Sequence, residues 1–539
     1  MEGKEELAYY REIVKKFRLE VPKKFSFVLD VFDKWGKRPA LIWTDGKEIK
    51  RFTFEELTKL SSKLAGGFKE KGINKGDKVL ILLPNIVEWW ISVLALMRLG
   101  AIIIPATVLL TSKDLEYRLS VADIKAIISD NENAPKVEEA VNNTGKDVLL
   151  VNVDERKGWE NFYKLIQKDT FLGERFNSDD PSFIFFTSGT TGPPKMVLHT
   201  QVSYPLAHLI TGKFWLNLKP GDIHWTITDT GWGKCAWSSL FAPWNMGATV
   251  FVRKREKNFS PQILIDTLKN FEVTSFCAPP TVYRMLIKEV PPKELSFPFV
   301  KHFVSAGEPL NPEVIDLWKE LTGEYIYNGY GQTETVNTIA MFRFIPMRQG
   351  AMGLPTPGFT IDIVDEEGRL VKPYEDGEIA IKIKPERPVG LFKEYINDEK
   401  EMKEAFRGDW YFTRDRGYKD EDGYFWFLGR TDDIIISSGY RISPFEVESA
   451  LIKHPAVKES AVVASPDEVR GEVVKAFIVL KRGYKPTEEL KKELQEFVKK
   501  ETAPYKYPRK IEFVKDLPKT ISGKIKRKEL KLKEFGYKI

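Results

Sequence analysis

Short apolar runs alternate along the chain with longer segments whose apolar positions recur every three or four residues, and Gly or Pro punctuates the changes. Residues 55–71 show the helical spacing and stop at Gly72. Residues 79–83 predict a strand, and residues 87–99 a helix apolar on every side, which Gly100 ends. Further strands are predicted at 124–128, 148–153, 183–186, 274–277 and 302–305, with a helix at 261–271. This alternation predicts an α/β fold of helix-covered sheets. From 353 to 408 the pattern changes to short antiparallel strands (361–364, 378–384) with turns at Glu367-Gly368 and Asp376-Gly377. After Gly429-Arg430-Thr431-Asp432-Asp433 comes a unit with its own helices (443–453, 488–500) and strands (460–464, 476–480). The expected division is a large domain over residues 1–431 and a small α+β domain over 432–539.

Chemistry enters after the strand at 183–186. Thr187-Ser188-Gly189-Thr190-Thr191-Gly192-Pro193-Pro194-Lys195 is rich in Gly, Ser and Thr and ends in lysine. Such a loop lets backbone N–H groups and hydroxyls close round phosphate oxygens, with the lysine as a point charge. A Walker A loop does not fit: the glycine spacing is wrong, and Met196 stands where a Mg²⁺-binding hydroxyl is required. A plain turn after a strand remains the alternative.

Three later segments stand in order behind this loop: Tyr330-Gly331-Gln332-Thr333-Glu334-Thr335, residues 415–439, and Ile521-Ser522-Gly523-Lys524. Together the four resemble the AMP-forming acyl-CoA synthetases of the adenylate-forming enzymes. Asp229-Thr230-Gly231-Trp232 and residues 502–510 look most like the medium-chain branch. The resemblance implies that residues 353–430 contain a β-barrel-like part and that the small domain is mobile. It implies two half-reactions: a carboxylate attacks the α-phosphate of ATP to give acyl-AMP and pyrophosphate, and CoA then displaces AMP.

It also implies roles. Thr187 to Gly192 and Lys195 hold phosphates, Thr333 bonds the α-phosphate, and Glu334 carries Mg²⁺, a hard cation that takes oxygen ligands. Read alone, Glu334 serves equally as a helix-entry acid. Gly307, Glu308 and Pro309 match an adenine-contacting turn, with Tyr330, Gly331 and Gln332 also at the nucleotide. Asp415 matches the ribose carboxylate and Arg430 its neighbour; a surface ion pair is the alternative for both. Arg414 departs from the family's Thr-Gly-Asp. Lys524 bridges carboxylate and α-phosphate, although composition alone makes it one lysine among many. Asp432 is the hinge that exchanges Lys524 for Ser438, Gly439 and Tyr440, with Arg441 and Arg470 at CoA; a turn is the alternative for Ser438-Gly439. Trp232, Lys234, Trp237 and Gly331 line the acyl pocket, Cys235 beside them. Gly331 replaces the tryptophan of acetate-restricted relatives, so the pocket is expected to be open.

The net charge of +6 is uneven. Residues 432–539 hold 24 Lys and Arg against 17 Asp and Glu, and the remainder 59 against 60. A basic small domain suits polyanions such as ATP, CoA or nucleic acid, but no nucleic-acid-binding signature is present. Five scattered histidines argue against a protein-built zinc site. Two cysteines without CxxC spacing, and no signal peptide or membrane span, predict a cytoplasmic protein. The partners that the resemblance implies are a carboxylic acid, ATP and CoA, with the oligomeric state open and a homodimer not excluded. Two rival functions are a ligase that loads a carrier protein and a non-catalytic nucleotide- or nucleic-acid-binding protein. No carrier domain follows Lys524 and the motif set is complete, which weighs against both.

Overall fold

The structure, a computed structural model, describes residues 2–187, 194–254, 260–437, 440–467, 471–502, 504–519 and 524–536. Two large sheets build the body. One runs, from edge to edge, through Glu394–Tyr395, Lys195–Thr200, Pro181–Thr187, Ile102–Pro105, Lys78–Leu82, Ile124–Ser129, Leu149–Asn152 and Glu160–Asn161. The other runs through Leu354–Pro355, Ile339–Ala340, Ile326–Tyr330, His302–Ala306, Ser275–Cys277, Ile223–Thr226, Thr249–Arg253, Pro39–Thr44 and Ile49–Thr53. Most central pairings in both are parallel.

The near-continuous apolar strands follow from burial on both faces. Val79 and Ile81 enter the core between the sheets, while Leu80 and Leu82 enter a second core under the helices Ser112–Ala122 and Ala134–Thr144. In the other sheet Leu41 and Val250 face the central core, while Ile42 and Phe251 face the helices Pro261–Asn270, Pro280–Glu289 and Pro312–Thr322. The helix Val87–Leu99 lies inside the central core, as its all-round apolarity predicts, and Trp90 Nε1–H donates to Ser239 O at 2.8 Å. Gly100 closes it at φ 68°.

The antiparallel part expected to be barrel-like is an open five-stranded sheet, not a closed barrel. Trp410–Lys419 pairs Gly377–Lys382 along one edge, and Phe406–Arg407 and then Phe425–Arg430 along the other. Among the strands of this sheet Ile361–Val364 pairs Gly377–Lys382, its other side meeting an isolated bridge from Val364 to Leu370, and no strand pairing joins the two outer edges among the described residues. The helix Glu2–Lys16 was not foreseen; Tyr10 O–H anchors it to Pro355 O at 2.7 Å.

The C-terminal unit packs Pro444–Lys453 and Glu488–Glu501 on one face of its sheet and Arg527–Glu534 on the other. Its central hairpin, Val457–Asp467 with Gly471–Leu480, is longer than its apolar pattern predicts. The ladder continues past the apolar stretch because Glu534 ties down its polar positions, accepting from Ser465 Oγ at 2.8 Å and pairing Lys475 Nζ at 2.6 Å.

Candidate active site

Several expected segments meet at the carboxyl ends of parallel strands, where open α/β sheets place their crevices. Ile326–Tyr330 runs into residues 331–335, and His302–Ala306 into Gly307, Glu308 and Pro309. Gly307 has φ 100°, a conformation that favours glycine. The antiparallel pair Thr187–Lys195 closes the mouth of the Gly/Ser/Thr loop. Residues 188–192 of that loop, with Ser438, Gly439 and Arg470, lie outside the described residues, and so do the side chains of Tyr440 and Arg441.

Asp415 is the hub of a polar network. It pairs with Arg430 across two adjacent strands, Arg430 Nη1 lying 3.1 Å from its Oδ1. Its Oδ2 accepts from Tyr330 O–H at 2.6 Å and Gln332 Nε2–H at 2.7 Å. Gln332 also donates to Thr413 O at 2.7 Å and accepts from Tyr411 O–H at 3.0 Å, so its amide has one orientation. Burial works against the Arg430 charge, but Asp415 and Tyr330 outweigh it and hold the guanidinium above its ordinary range. Asp415 is buried, with 5% of it exposed, while the Arg430 side chain keeps open surface.

Glu334 occupies a turn in which Thr335 N–H donates to Gln332 O at 3.1 Å, and the next element is a strand. The helix-entry reading therefore falls. Burial raises its carboxyl above the usual range, although Tyr395 O–H donates to Oε1 at 2.8 Å. Lys195 Nζ stands 5.5 Å from the Tyr395 ring centroid and 2.6 Å from Glu401 Oε1. Thr333 O accepts from His199 Nε2–H at 2.7 Å, and Ser203 lies 3.1 Å from Nδ1. Burial pushes His199 down to about 3, so it is a neutral donor that fixes the turn. Sequence reasoning missed His199, Tyr395, Tyr411 and Glu401. Each acts through a contact distant in the chain, and no local motif marks it.

Lys524 reaches this site from the C-terminal unit. Its charge interacts with Glu308 and Asp415, which favour it, and with Lys234 and Arg430, which oppose it. Burial dominates and lowers its pKa from the ordinary lysine value. The side chain nevertheless keeps open surface. The two observations fit an ammonium in a cleft, with protein around it and solvent access retained. Asn311 Nδ2–H donates to Ser449 Oγ at 3.1 Å and Lys453 Nζ lies 3.2 Å from Glu313, docking the unit in this orientation. Asp432 is exposed in the turn between the two units.

Glu308 Oε2 accepts from Thr281 Oγ–H at 3.2 Å and faces Arg284 at 3.7 Å. Lys234 Nζ donates to Ala306 O at 3.1 Å. Trp232 is half-buried just before the turn of helix Gly233–Ala236. Cys235 is wholly buried in the central core with its thiol pushed up by burial. The space at Gly331 is not open, contrary to expectation. The Trp237 indole fills it, tethered by Nε1–H to Tyr204 Oη at 2.5 Å. A Cβ on Gly331 would overlap Trp237 Cη2 and Val336 O, with Cζ2 at 3.1 Å.

The chain matches known proteins over nearly its whole length. Residues 30–396 match the AMP-binding enzyme family, and residues 446–524 the AMP-binding enzyme C-terminal domain. The chain is 48% identical to acyl-coenzyme A synthetase ACSM3, mitochondrial, of Rattus norvegicus, covering 98% of this chain and 93% of that protein. It is 46% identical to human acyl-coenzyme A synthetase ACSM4, mitochondrial, covering 97% and 93%. The crystal structure of the Brucella canis acyl-CoA synthetase superposes with a TM-score of 0.75 at 32% identity, covering 98% of this chain and 99% of that one. The cytoplasmic expectation is overturned by these relatives, which are mitochondrial. Two buried cysteines without a disulfide do not choose among compartments.

Proposed function

The chain belongs to the AMP-binding enzyme family and is an AMP-forming acyl-CoA synthetase, and from that premise we propose which residues perform each half-reaction and which acids it takes. Its substrates are a carboxylic acid, ATP and CoA. In the first half-reaction a carboxylate oxygen attacks the α-phosphorus and the bond to pyrophosphate breaks. Both reactants are anionic, so the protein's task is to hold them together and offset charge. Lys524 does this between the carboxylate and the α-phosphate, with Thr333 as hydroxyl donor. Asp415 takes the ribose hydroxyls, and its partners Tyr330, Gln332 and Arg430 hold it in place. Gly307, Glu308 and Pro309 border the adenine. The loop from Thr187 to Gly192 and Lys195 takes the departing phosphates.

The buried carboxylate of Glu334 fits Mg²⁺. Burial disfavours its charge, and a divalent cation would offset that. One carboxylate with phosphate oxygens is an ordinary Mg²⁺ set. When bound, the ion neutralises charge developing on the leaving pyrophosphate.

In the second half-reaction the small domain, residues 432–539, turns about Asp432 and withdraws Lys524. Ser438, Gly439 and Tyr440 take its place beside the thiol arm, with Arg441 and Arg470 on CoA phosphates. Trp232, Lys234, Trp237 and Gly331 bound the acyl group, which is medium-chain, short branched or aromatic. The approach of Lys524 to Asp415, Glu308 and Arg430 from a separate unit carries this reading. A pyrophosphate-release screen tests it, with acids from acetate to decanoate plus branched and aryl acids. Release with several of the larger acids is expected; release with acetate alone contradicts the acid range.

A further inference from the structure

Arg414 stands where the family resemblance expects glycine, at φ 61°, a conformation that residues with a Cβ rarely adopt. Its guanidinium is engaged: Nη2 lies 2.9 Å from Glu401 Oε1 and 2.9 Å from Glu404 Oε2. The same Glu401 oxygen lies 2.6 Å from Lys195 Nζ. Glu401 is 9% exposed, its backbone N–H bonded to Asp398 Oδ1 at 3.0 Å in the first turn of helix Glu399–Ala405. One nearly buried carboxylate thus holds two cations, one from the strand Lys195–Thr200 and one from the strand Trp410–Lys419.

We propose that Arg414 is a positioning residue for ATP, keeping Glu401 neutralised when Lys195 leaves it for the polyphosphate. The inference rests on the assignment of Lys195 to the phosphates made above. An ammonium that moves from Glu401 to phosphate abandons a buried carboxylate, and an uncompensated buried charge is strongly disfavoured. With glycine at 414 that penalty would oppose ATP binding. With arginine the guanidinium already sits on the same oxygen, and Glu404 braces it from the other side. Lys195 is then free to exchange partners with little electrostatic loss. The strained backbone at 414 is held by these ion pairs and by Arg414 N–H donating to Glu378 Oε1 at 2.7 Å.

Arg414→Gly tests this, since glycine suits the backbone and folding is preserved. Pyrophosphate release is followed against MgATP concentration, and thioester formation is followed separately from supplied acyl-AMP and CoA. KM for MgATP is expected to rise about fivefold or more with kcat within about twofold. The thioester step, which uses no polyphosphate, is unchanged. Arg414→Gly with Glu401→Gln returns KM toward the starting value, because no carboxylate is left to hold Lys195. An unchanged KM in Arg414→Gly, equal loss in both half-reactions, or no recovery in the double variant overturns the proposal. Unsubstituted protein that releases no pyrophosphate with any acid overturns the functional reading, and this inference with it.

Discussion

One methyl group at Gly331 probes the acyl side of the site. In Gly331→Ala the new Cβ overlaps Trp237 Cη2 and the Val336 carbonyl oxygen. The carbonyl is backbone and cannot retreat cheaply, so the indole must. Trp237 is buried and its N–H is held by Tyr204 at 2.5 Å. Overpacking of this kind costs about 1–3 kcal/mol, and loss of the indole hydrogen bond adds roughly 1 kcal/mol. The displaced ring narrows the acyl space proposed above, where each methylene of substrate is worth about 1–3 kcal/mol. The assay is kcat/KM for pyrophosphate release across a series of straight-chain acids, with a melting curve on the same sample. The expected result is a lower melting temperature and a preference shifted toward shorter acids by roughly tenfold or more per methylene excluded. Gly331→Ala with Trp237→Ala relieves the overlap and recovers longer acids, a coupling that a double-mutant cycle measures. Unchanged stability and unchanged chain-length preference in Gly331→Ala would refute the packing argument.

Two further predictions concern charge. Chelation of divalent cations abolishes pyrophosphate release and Mg²⁺ restores it; Glu334→Gln raises the Mg²⁺ needed for half-maximal rate by roughly tenfold or more, and an unchanged Mg²⁺ requirement removes Glu334 from the metal role. Burial holds His199 and His224 at about 3 and His302 at about 4, below the ordinary 6.5. All three are neutral in the fold, so their contribution is complete above pH 6.5 and declines as pH falls from 6.5 toward 4. The decline reaches about 1.4 kcal/mol per pH unit for each histidine. Denaturant melts across that window measure it, and a flat profile contradicts the burial argument.

Most of the fold was legible because its elements are strongly periodic. The helix Val87–Leu99 and the strand Ile361–Val364 fall where the pattern of apolar residues predicts them. The hairpin Val457–Asp467 with Gly471–Leu480 is longer than its apolar pattern predicts because the ladder runs on through polar positions, of which Ser465 and Lys475 are held by Glu534 from another element. The antiparallel strands are visible in sequence as local pairing, whereas the barrel-like expectation rests on the resemblance, and closure depends on distant edges that no local pattern marks. The site divides similarly. Asp415, Arg430, Glu334 and Lys524 lie in motifs; His199 and Tyr395 reach the same turn only through tertiary contacts. The open wall expected at Gly331 rests on its replacing a tryptophan of acetate-restricted relatives, a one-position comparison that does not register Trp237 filling the space from another element.

The central claim is that a lysine from the C-terminal unit completes the nucleotide site for adenylation alone. Lys524→Ala tests it with the two half-reactions measured separately on one preparation. Acyl-AMP formation from acid and MgATP is expected to be lost, while thioester formation from supplied acyl-AMP and CoA persists near the unsubstituted rate. Equal loss of both steps, or retention of both, contradicts the account.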